Sequence, residues 1–331
     1  MGRSFFLFML YLRNSGVDPY WNMAFDEYVL TQMRTEGTVF SLWQNRPSVI
    51  IGLNQNAFRE VNIPYLEEKG IALARRVTGG GAVYHDLGNL NYTISGPADF
   101  WLDGGFTAII AHALRSMGAR VSVTGRNDFY IDKRKCSGFA KRLYKDRILI
   151  HGTLMFDVNL DEMTRALASP ESKFTSKGIA SVRRRVANLK DYLPGIDSVE
   201  MLKLALEDVL RDGDGTMDLS PRDIAAISRS ADEKFRTREW IFGKSPSSSA
   251  CISRKFPTSG TVEASFDLVH GRIRGLRFSG DFIGSLPAGE LAAALEGAEL
   301  SAVGDILKKT PAALYFDGVA DEDLRNFLLG D

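Results

Sequence analysis

Strand-like and helix-like stretches alternate through the first two thirds of this chain, and that alternation confines it to an α/β arrangement. Phe5–Leu12 is apolar throughout and reads as a buried strand. Between Tyr20 and Met33, the residues Trp21, Ala24, Phe25, Tyr28 and Val29 fall on one face at helical spacing. Thr38–Trp43 and Ser48–Leu53 are short β-branched or aromatic runs. Asn45-Arg46-Pro47 between them is turn chemistry, so a hairpin is expected there. Phe106, Ile109, Ile110, Ala113, Leu114 and Met117 predict a helix over 100–117. Strands are expected at Val121–Thr124, Phe129–Ile131 and Ile148–Phe156, and an amphipathic helix at Glu200–Leu210.

Composition shifts after Trp240, where Gly243-Lys244-Ser245-Pro246-Ser247-Ser248-Ser249 has the make-up of a linker. Beyond it Val262, Ala264, Phe266 and Leu268 alternate, His270-Gly271 supplies a turn, and Ile273–Phe278 returns as a strand. Helical patterns follow near Pro287–Leu295 and Asp321–Leu328. The expected division is a large domain over residues 1–242, a linker over 243–250 and a smaller α+β domain over 251–331. A chain of 331 residues buries sufficient core for this without disulfide or metal staples.

The 41 Lys+Arg balance 41 Asp+Glu, which removes the global basic field that nucleic-acid binding usually requires. Phe5–Leu12 is well under half of the roughly 20 residues of a membrane span, and no small-residue cleavage site follows it. Cys136 and Cys251 cannot make a disulfide framework, and four scattered histidines do not build a zinc site. A soluble, cytoplasmic protein is expected, with no nucleic-acid or membrane partner, and a monomer by default.

The densest local signal is Arg75-Arg76-Val77-Thr78-Gly79-Gly80-Gly81-Ala82-Val83-Tyr84-His85-Asp86. Three consecutive glycines let the backbone take positive φ and approach a ligand closely, and successive N–H groups there can cradle phosphate oxygens. The two arginines suit an anion. Neither the P-loop ending nor the G-x-G-x-x-G spacing is present, and the same run also reads as a glycine-rich turn in a hairpin. A second signal is the charge run Asp132-Lys133-Arg134-Lys135, then Cys136-Ser137-Gly138, Lys141, Arg142, Lys145 and Arg147. Such a run reads as a solvated loop, or as a lysine held between apolar strands against carboxylate or phosphate oxygens. The third is His151-Gly152-Thr153, which interrupts an apolar strand as a site of close ligand approach or around a satisfied core histidine. Basic neighbours could activate Cys136, but without a general base nearby in sequence a packed thiol is the better reading.

Taken together, these residues resemble the lipoate–protein ligase family. Arg75–Asn89, RRVTGGGAVYHDLGN, is similar to the family's lipoate-binding signature, and Asp18–Glu27, DPYWNMAFDE, to its opening helix. Gly125–Asp128, Lys135–Ala140, Lys145–Arg147, His151–Leu154, Ser176–Ile179, Ser181–Arg183, Arg185-Val186 and Asn188-Leu189 follow in the family's order. Trp240, Phe242-Gly243 and Ser245-Pro246 resemble its junction to a small accessory domain.

The resemblance implies an α+β mixed-sheet catalytic domain of the biotin/lipoate ligase type and two half-reactions. Lipoate first attacks ATP, with Mg2+, to give lipoyl-AMP and pyrophosphate. A lysine of a lipoyl-carrying protein then takes the acyl group. The implied acceptors are lipoyl domains of 2-oxo acid dehydrogenase complexes (their E2 subunits) and the glycine-cleavage H protein. By the same resemblance Lys135 is the catalytic lysine, holding the lipoate carboxylate and offsetting charge on the α-phosphoryl group. Arg76, Gly81, Ala82, Val83 and Tyr84, with Lys135, would hold the nucleotide and adenylate. Thr78, Gly80, His85, Ser137, Gly138, Arg142, His151 and Gly152 would line the lipoate site, and Asp128 is the candidate magnesium ligand. The stretch 175–186 is expected to fold over the adenylate as a lid, and Arg183, Arg184 and Arg185 are candidates for meeting an acidic carrier domain. Cys136 and Phe139 depart from the family pattern and could tune acyl-chain preference. The nearest alternative is an ATP-independent octanoyl or lipoyl transferase of the same fold working through a cysteine thioester. A biotin ligase and a non-catalytic lipoate-binding protein fit less well, the former lacking its Arg/Gly signature here and the latter not needing Lys135.

Overall fold

The structure, a computed structural model, describes residues 9–33, 35, 37–101, 105–124, 128–167, 185–211, 215–242, 250–269 and 272–329. Its centre is an eight-stranded mixed sheet in the order β11-β1-β2-β6-β10-β9-β8-β7. These strands are β1 (Met9–Leu12), β2 (Thr38–Trp43), β6 (Asn89–Pro97), β7 (Ser122–Thr124), β8 (Asp128–Ile131), β9 (Arg134–Tyr144), β10 (Arg147–Met155) and β11 (Thr216–Met217). β1 runs parallel to β2 and β11, and every other neighbour is antiparallel.

The sheet is covered on both faces because its strands are apolar on both. Ile148, Ile150 and Leu154 of β10 join the core formed with α2 (Gly105–Ser116) and α3 (Val199–Leu210), whereas Leu149 packs with α1 (Pro19–Thr31). The start of α1 is fixed by Asp18, whose side chain accepts from Tyr20 N–H, and by Pro19 in the first turn. On that same face lies a second sheet, β4 (Ala72–Arg75), β3 (Ser48–Ile51) and β5 (Val83–His85), in that order. The helix α4 (Pro221–Ser230) packs against α1, and its capping box Ser220/Asp223 also receives the Tyr28 hydroxyl at 2.5 Å.

Several sequence expectations change here. β2 and β3 belong to different sheets, so Asn45-Arg46-Pro47 links two layers rather than closing a hairpin. β4 and β5 flank β3 on opposite sides, so the glycine run crosses over β3 and is not a hairpin turn either. Most of the charge run is strand and not loop: residues 134–144 form β9, inside the main sheet, with Asp132-Lys133 and Lys145-Asp146 in the turns at its two ends. The helix expected over 100–117 divides into Ala98–Trp101 and α2. Residues 168–184 and 243–249 lie outside the described residues, so most of the expected lid, Arg183, Arg184 and the linker lie there too. No helix among the described residues is long and apolar enough to cross a membrane.

Past residue 250 the chain builds its own three-stranded sheet from β12 (Ala250–Phe256), β13 (Gly260–Val269) and β14 (Arg272–Gly280). α6 (Ala288–Leu295) and α7 (Asp321–Leu329) close a separate apolar core around Leu291, Phe316 and Leu324. This α+β unit docks through its backbone: Phe282 C=O accepts from Gly80 N–H at 2.7 Å, Ser285 C=O from Leu143 N–H at 2.6 Å, and Gly280 N–H donates to Asn54 C=O at 3.1 Å. Lys141 adds an ion pair to Asp317 at 3.1 Å.

Candidate active site

A cavity opens between the two sheets of the larger unit, walled by Met23 of α1, Trp43, Ile50, the turn residues 81–83, and β9 and β10. Of the residues singled out from sequence, Arg76, Gly81, Ala82, Val83, His85, Lys135, Gly138, His151 and Gly152 line it. Thr78, together with Arg142, instead faces the seam against the accessory unit, near Gly79 and Phe282. Tyr84 turns away from the cavity and is buried with Val49 and Met155, so its side chain does not reach a ligand there.

Lys135 owes its position to an irregularity in β9. Side chains alternate along a strand, so residues 135 and 138 should point to opposite faces. The ladder with β8 pairs Tyr130 with Lys135 but Phe129 with Ser137, which leaves Cys136 as an inserted residue. The bulge brings Lys135 to the cavity face, where a Cβ on Gly138 would stand 3.1 Å from its Nζ. There Nζ pairs with Asp128 Oδ1 at 2.7 Å, and Tyr130 donates its hydroxyl hydrogen to Asp128 Oδ2 at 3.2 Å. The Lys135 backbone is held in turn by Ala187 N–H, which donates to its carbonyl at 2.9 Å.

Cys136 is fully buried on the other face, its Sγ 3.4 Å from Phe129 C=O, and burial pushes the thiol up to about 12. It is packing material, not a nucleophile. Phe139, only partly buried and among the residues lining the cavity, packs edge-on against Phe106 with ring centroids 4.5 Å apart. Gly152 cannot carry a side chain: a Cβ there would come within 2.4 Å of the Tyr92 hydroxyl.

The two arginines serve the turn. Arg75, wholly buried, donates to the carbonyls of Gly52, Leu53 and Gln55 and to Trp240 and Ile241 of α5 (Arg238–Phe242). Arg76 donates to the carbonyls of Ile50, Gly79 and Gly81 and, from Nε, to Thr78 Oγ1 at 3.1 Å. Burial lowers both guanidinium groups to about 10, which leaves them charged at neutral pH. Arg76 lines the cavity, and its guanidinium is also folded into its own loop, where it shapes the turn. Gly80, at φ 91°, is the position in that turn that demands glycine.

Two buried polar relays lie behind the cavity. Asp26 is completely buried and its carboxylate accepts from Thr93 Oγ1 at 2.7 Å and faces His151 Nδ1 at 2.6 Å. His151 Nε2 meets Thr78 Oγ1 at 2.7 Å. His85 Nδ1 meets Asn45 Nδ2 at 3.0 Å, and burial, with Arg76 and His151 adding to it, pushes its imidazolium down to about 3. His85 is thus a neutral ring. Asp26 lies in the stretch Asp18–Glu27 likened to the family's opening helix but has no site role in the sequence reading, and Asn45 and Thr93 have none either. The available signal was on α1, where Asn22 and Asp26 sit at helical spacing among Phe25 and Val29 on a face otherwise apolar.

Among the described residues no group of three or more His, Cys, Asp or Glu could hold a metal ion. Asp128 is a single carboxylate, already shared with Lys135 and Tyr130. That fits a magnesium ion taking most of its ligands from phosphates and water, and not a protein cage.

Residues 18–211 match the family described as the lipoyl protein ligase A/B catalytic domain, and residues 245–328 match the bacterial lipoate protein ligase C-terminus. The chain is 35% identical to lipoate-protein ligase LplJ of Bacillus subtilis (strain 168), over 97% of this chain and 100% of that one. In fold it is similar to P. falciparum LipL1 in complex with lipoate, with a TM-score of 0.78 at 23% identity over 98% of this chain and 100% of that one. A lipoate-protein ligase A bound with ATP matches with a TM-score of 0.61 at 27% identity, over 72% of this chain and 99% of that one. The chain belongs to the lipoate–protein ligase family and is an enzyme of that ligase class.

Proposed function

We propose that this enzyme works in two ATP-dependent half-reactions. The lipoate carboxylate attacks the α-phosphorus of ATP, forming the acyl–phosphate bond of lipoyl-AMP as pyrophosphate leaves. The amine of an acceptor lysine then attacks the anhydride carbonyl, forming the amide as AMP leaves. The observation that carries the reading is Lys135, set by the bulge in the wall of the cavity beside the glycine turn. Its ammonium serves as a fixed charge for the carboxylate and then for the developing negative charge on the α-phosphoryl oxygens. Because the substrate carboxylate is itself the nucleophile, no protein nucleophile is needed and positioning does most of the work. The binding of ATP by a ligase 27% identical supports the nucleotide requirement.

In this reading the backbone of Gly81, Ala82 and Val83 takes the adenylate, and Gly138, Gly152, His85 and His151 surround the acyl chain. Thr78, Gly80, Ser137 and Arg142 support them from behind. Asp128 would hold Mg2+ delivered with the nucleotide, and that ion would supply charge neutralisation on the phosphates. Residues 243–250 would divide the catalytic from the accessory unit. Acceptors would be lipoyl domains of 2-oxo acid dehydrogenase complexes and the glycine-cleavage H protein, met by a monomer in the cytoplasm. The thioester route of the transferase is disfavoured by the complete burial of Cys136 in the core.

The test is lipoate-dependent exchange of labelled pyrophosphate into ATP with no acceptor present. Exchange is expected, with Lys135→Ala losing on the order of a thousandfold or more and Cys136→Ser remaining near the unaltered rate. A Lys135→Ala enzyme of near-normal rate would sink the assignment. Acyl transfer from a carrier without exchange, lost in Cys136→Ser, would establish the transferase instead.

A further inference from the structure

Asn22 and Asp26 stand one turn apart on α1, both completely buried, and each begins a chain of hydrogen bonds ending at a different cavity histidine. The polarity of the first chain is settled by end groups that can play only one role, and that of the second by the Asp26 carboxylate and by the need of the buried Thr78 hydroxyl for an acceptor.

Gly16 N–H can only donate, and it donates to Asn14 Oδ1 at 2.9 Å. The other end of Asn14 is therefore its NH2, which donates to Asn22 Oδ1 at 2.9 Å. The Asn22 NH2 then faces three acceptors, the carbonyls of Gly16 and Gln44 and Asn45 Oδ1 at 2.8 Å, and serves them with its two hydrogens, one of them shared. That leaves the Asn45 NH2 against His85 Nδ1, which must accept. The ring hydrogen of His85 is consequently on Nε2, an atom buried at the cavity wall with no partner among the described residues.

The second chain has the opposite sense. Trp43 Nε1–H can only donate, and it donates to Thr93 Oγ1 at 2.8 Å, so the Thr93 hydroxyl hydrogen goes to Asp26 Oδ1. At the far end Thr78 Oγ1 accepts from Arg76 Nε, and the buried Thr78 hydroxyl hydrogen has His151 Nε2 within reach as its acceptor, while the Asp26 carboxylate, already accepting from Thr93, faces the other ring nitrogen. His151 then carries its hydrogen on Nδ1, directed at Asp26 Oδ2.

We infer that Asn22, acting through Asn45, and Asp26 are positioning residues that fix the two cavity histidines in opposite tautomers. His85 then presents an Nε2–H donor to an acceptor atom of the acyl substrate, while His151 holds Thr78 and the glycine turn as an acceptor. The arrangement needs both senses. An N–H on His151 Nε2 would deprive the buried Thr78 hydroxyl hydrogen of that acceptor, and an N–H on His85 Nδ1 would confront the Asn45 amide.

The tautomers themselves do not depend on the substrate; the kinetic arm below rests on the proposed function. Long-range 1H–15N correlation of the imidazole rings in the full-length, histidine-labelled protein distinguishes Nδ1–H from Nε2–H. The four histidines are few enough to assign, with His85→Gln and His151→Gln identifying the two rings. Nε2–H is expected for His85 and Nδ1–H for His151. Asn45→Asp turns the donor facing His85 Nδ1 into an acceptor and should move that ring's hydrogen to Nδ1. Asp26→Asn does the reverse to His151, the exchange known to invert a histidine held by aspartate. In pyrophosphate exchange, Asn45→Asp should raise the lipoate KM roughly tenfold while kcat changes much less, the split of a lost binding contact. Nδ1–H on His85 in the unaltered protein overturns the inference, as does a variant that loses activity while both tautomers stay as they were. Absence of lipoate-dependent exchange in the unaltered protein would reject the proposed function and leave the tautomer result to be judged alone.

Discussion

Between Phe256 and Leu328 the accessory unit buries phenylalanines, leucines and valines, and among the described residues its buried polar ones are four serines, Ser259, Ser265, Ser279 and Ser285. Between Asn14 and His151 the catalytic unit buries three arginines (Arg75, Arg76 and Arg147), Asp26, two histidines and a run of amides. An apolar interior asks only for volume and pattern, and the chain supplies these locally. A polar interior asks every group for a partner, and the partners lie far apart in sequence: Asp26 with Thr93 and His151, Arg75 with Trp240 and Ile241. The catalytic unit accepts that cost where the cavity is, and the accessory unit avoids it.

The contrast can be broken most forcefully from the apolar side. Phe316, fully buried with Phe278 and Phe282 rings 5.1 and 4.8 Å away, should cost the accessory unit about 3–5 kcal/mol as Phe316→Ala. All four tryptophans precede residue 243, so tryptophan fluorescence follows the catalytic unit alone. Urea unfolding should shift strongly by far-ultraviolet circular dichroism and little by fluorescence. Equal shifts in both would mean that the two interiors unfold as one.

A titration sharpens the polar side. His85 has its folded value at about 3 against an ordinary 6.5, so between those values the unfolded chain binds the extra proton. Its contribution to stability is present above the ordinary value and is lost as pH falls through this window, by up to about 1.4 kcal/mol per pH unit. His85→Gln should remove that slope from urea midpoints taken between about pH 4 and pH 7; an unchanged slope would place the acid sensitivity elsewhere. The smallest effect is expected at the seam. Lys141 and Asp317 are each about a quarter exposed, 22% and 26%, and Lys141→Ala should cost less than about 1 kcal/mol in thermal unfolding. A larger loss would show that side chains rather than backbone hold the units together.

The same contrast explains what the sequence disclosed. α1, α3 and the accessory strands were legible because their apolar residues recur at the period of the element. The glycine run was legible as a turn, but not its crossing over β3, because turn chemistry says nothing about which strands flank it. β9 was misread because four of its eleven residues are charged: Arg134, Lys135, Lys141 and Arg142 lie on a strand that lines a cavity and meets the accessory unit. Asn45 looked like a turn former and proved to be a link to His85. Residues whose role is a long-range hydrogen bond carry no local signature, and they were the ones missed.

One consequence of the irregularity at Cys136 concerns how such an enzyme tolerates change. The placement of Lys135 is stored in a count, not in a chemical group: what matters at position 136 is that one more residue stands there than opposite it in β8. Exchanging that residue for another small one leaves the arithmetic intact. Giving it a partner, by one residue added to β8 between Phe129 and Tyr130, would restore plain alternation and carry Lys135 through to the covered face with every catalytic side chain still encoded. In this stretch of chain an insertion and a substitution are different kinds of lesion, and a family tree built from residue identities alone would rank them wrongly.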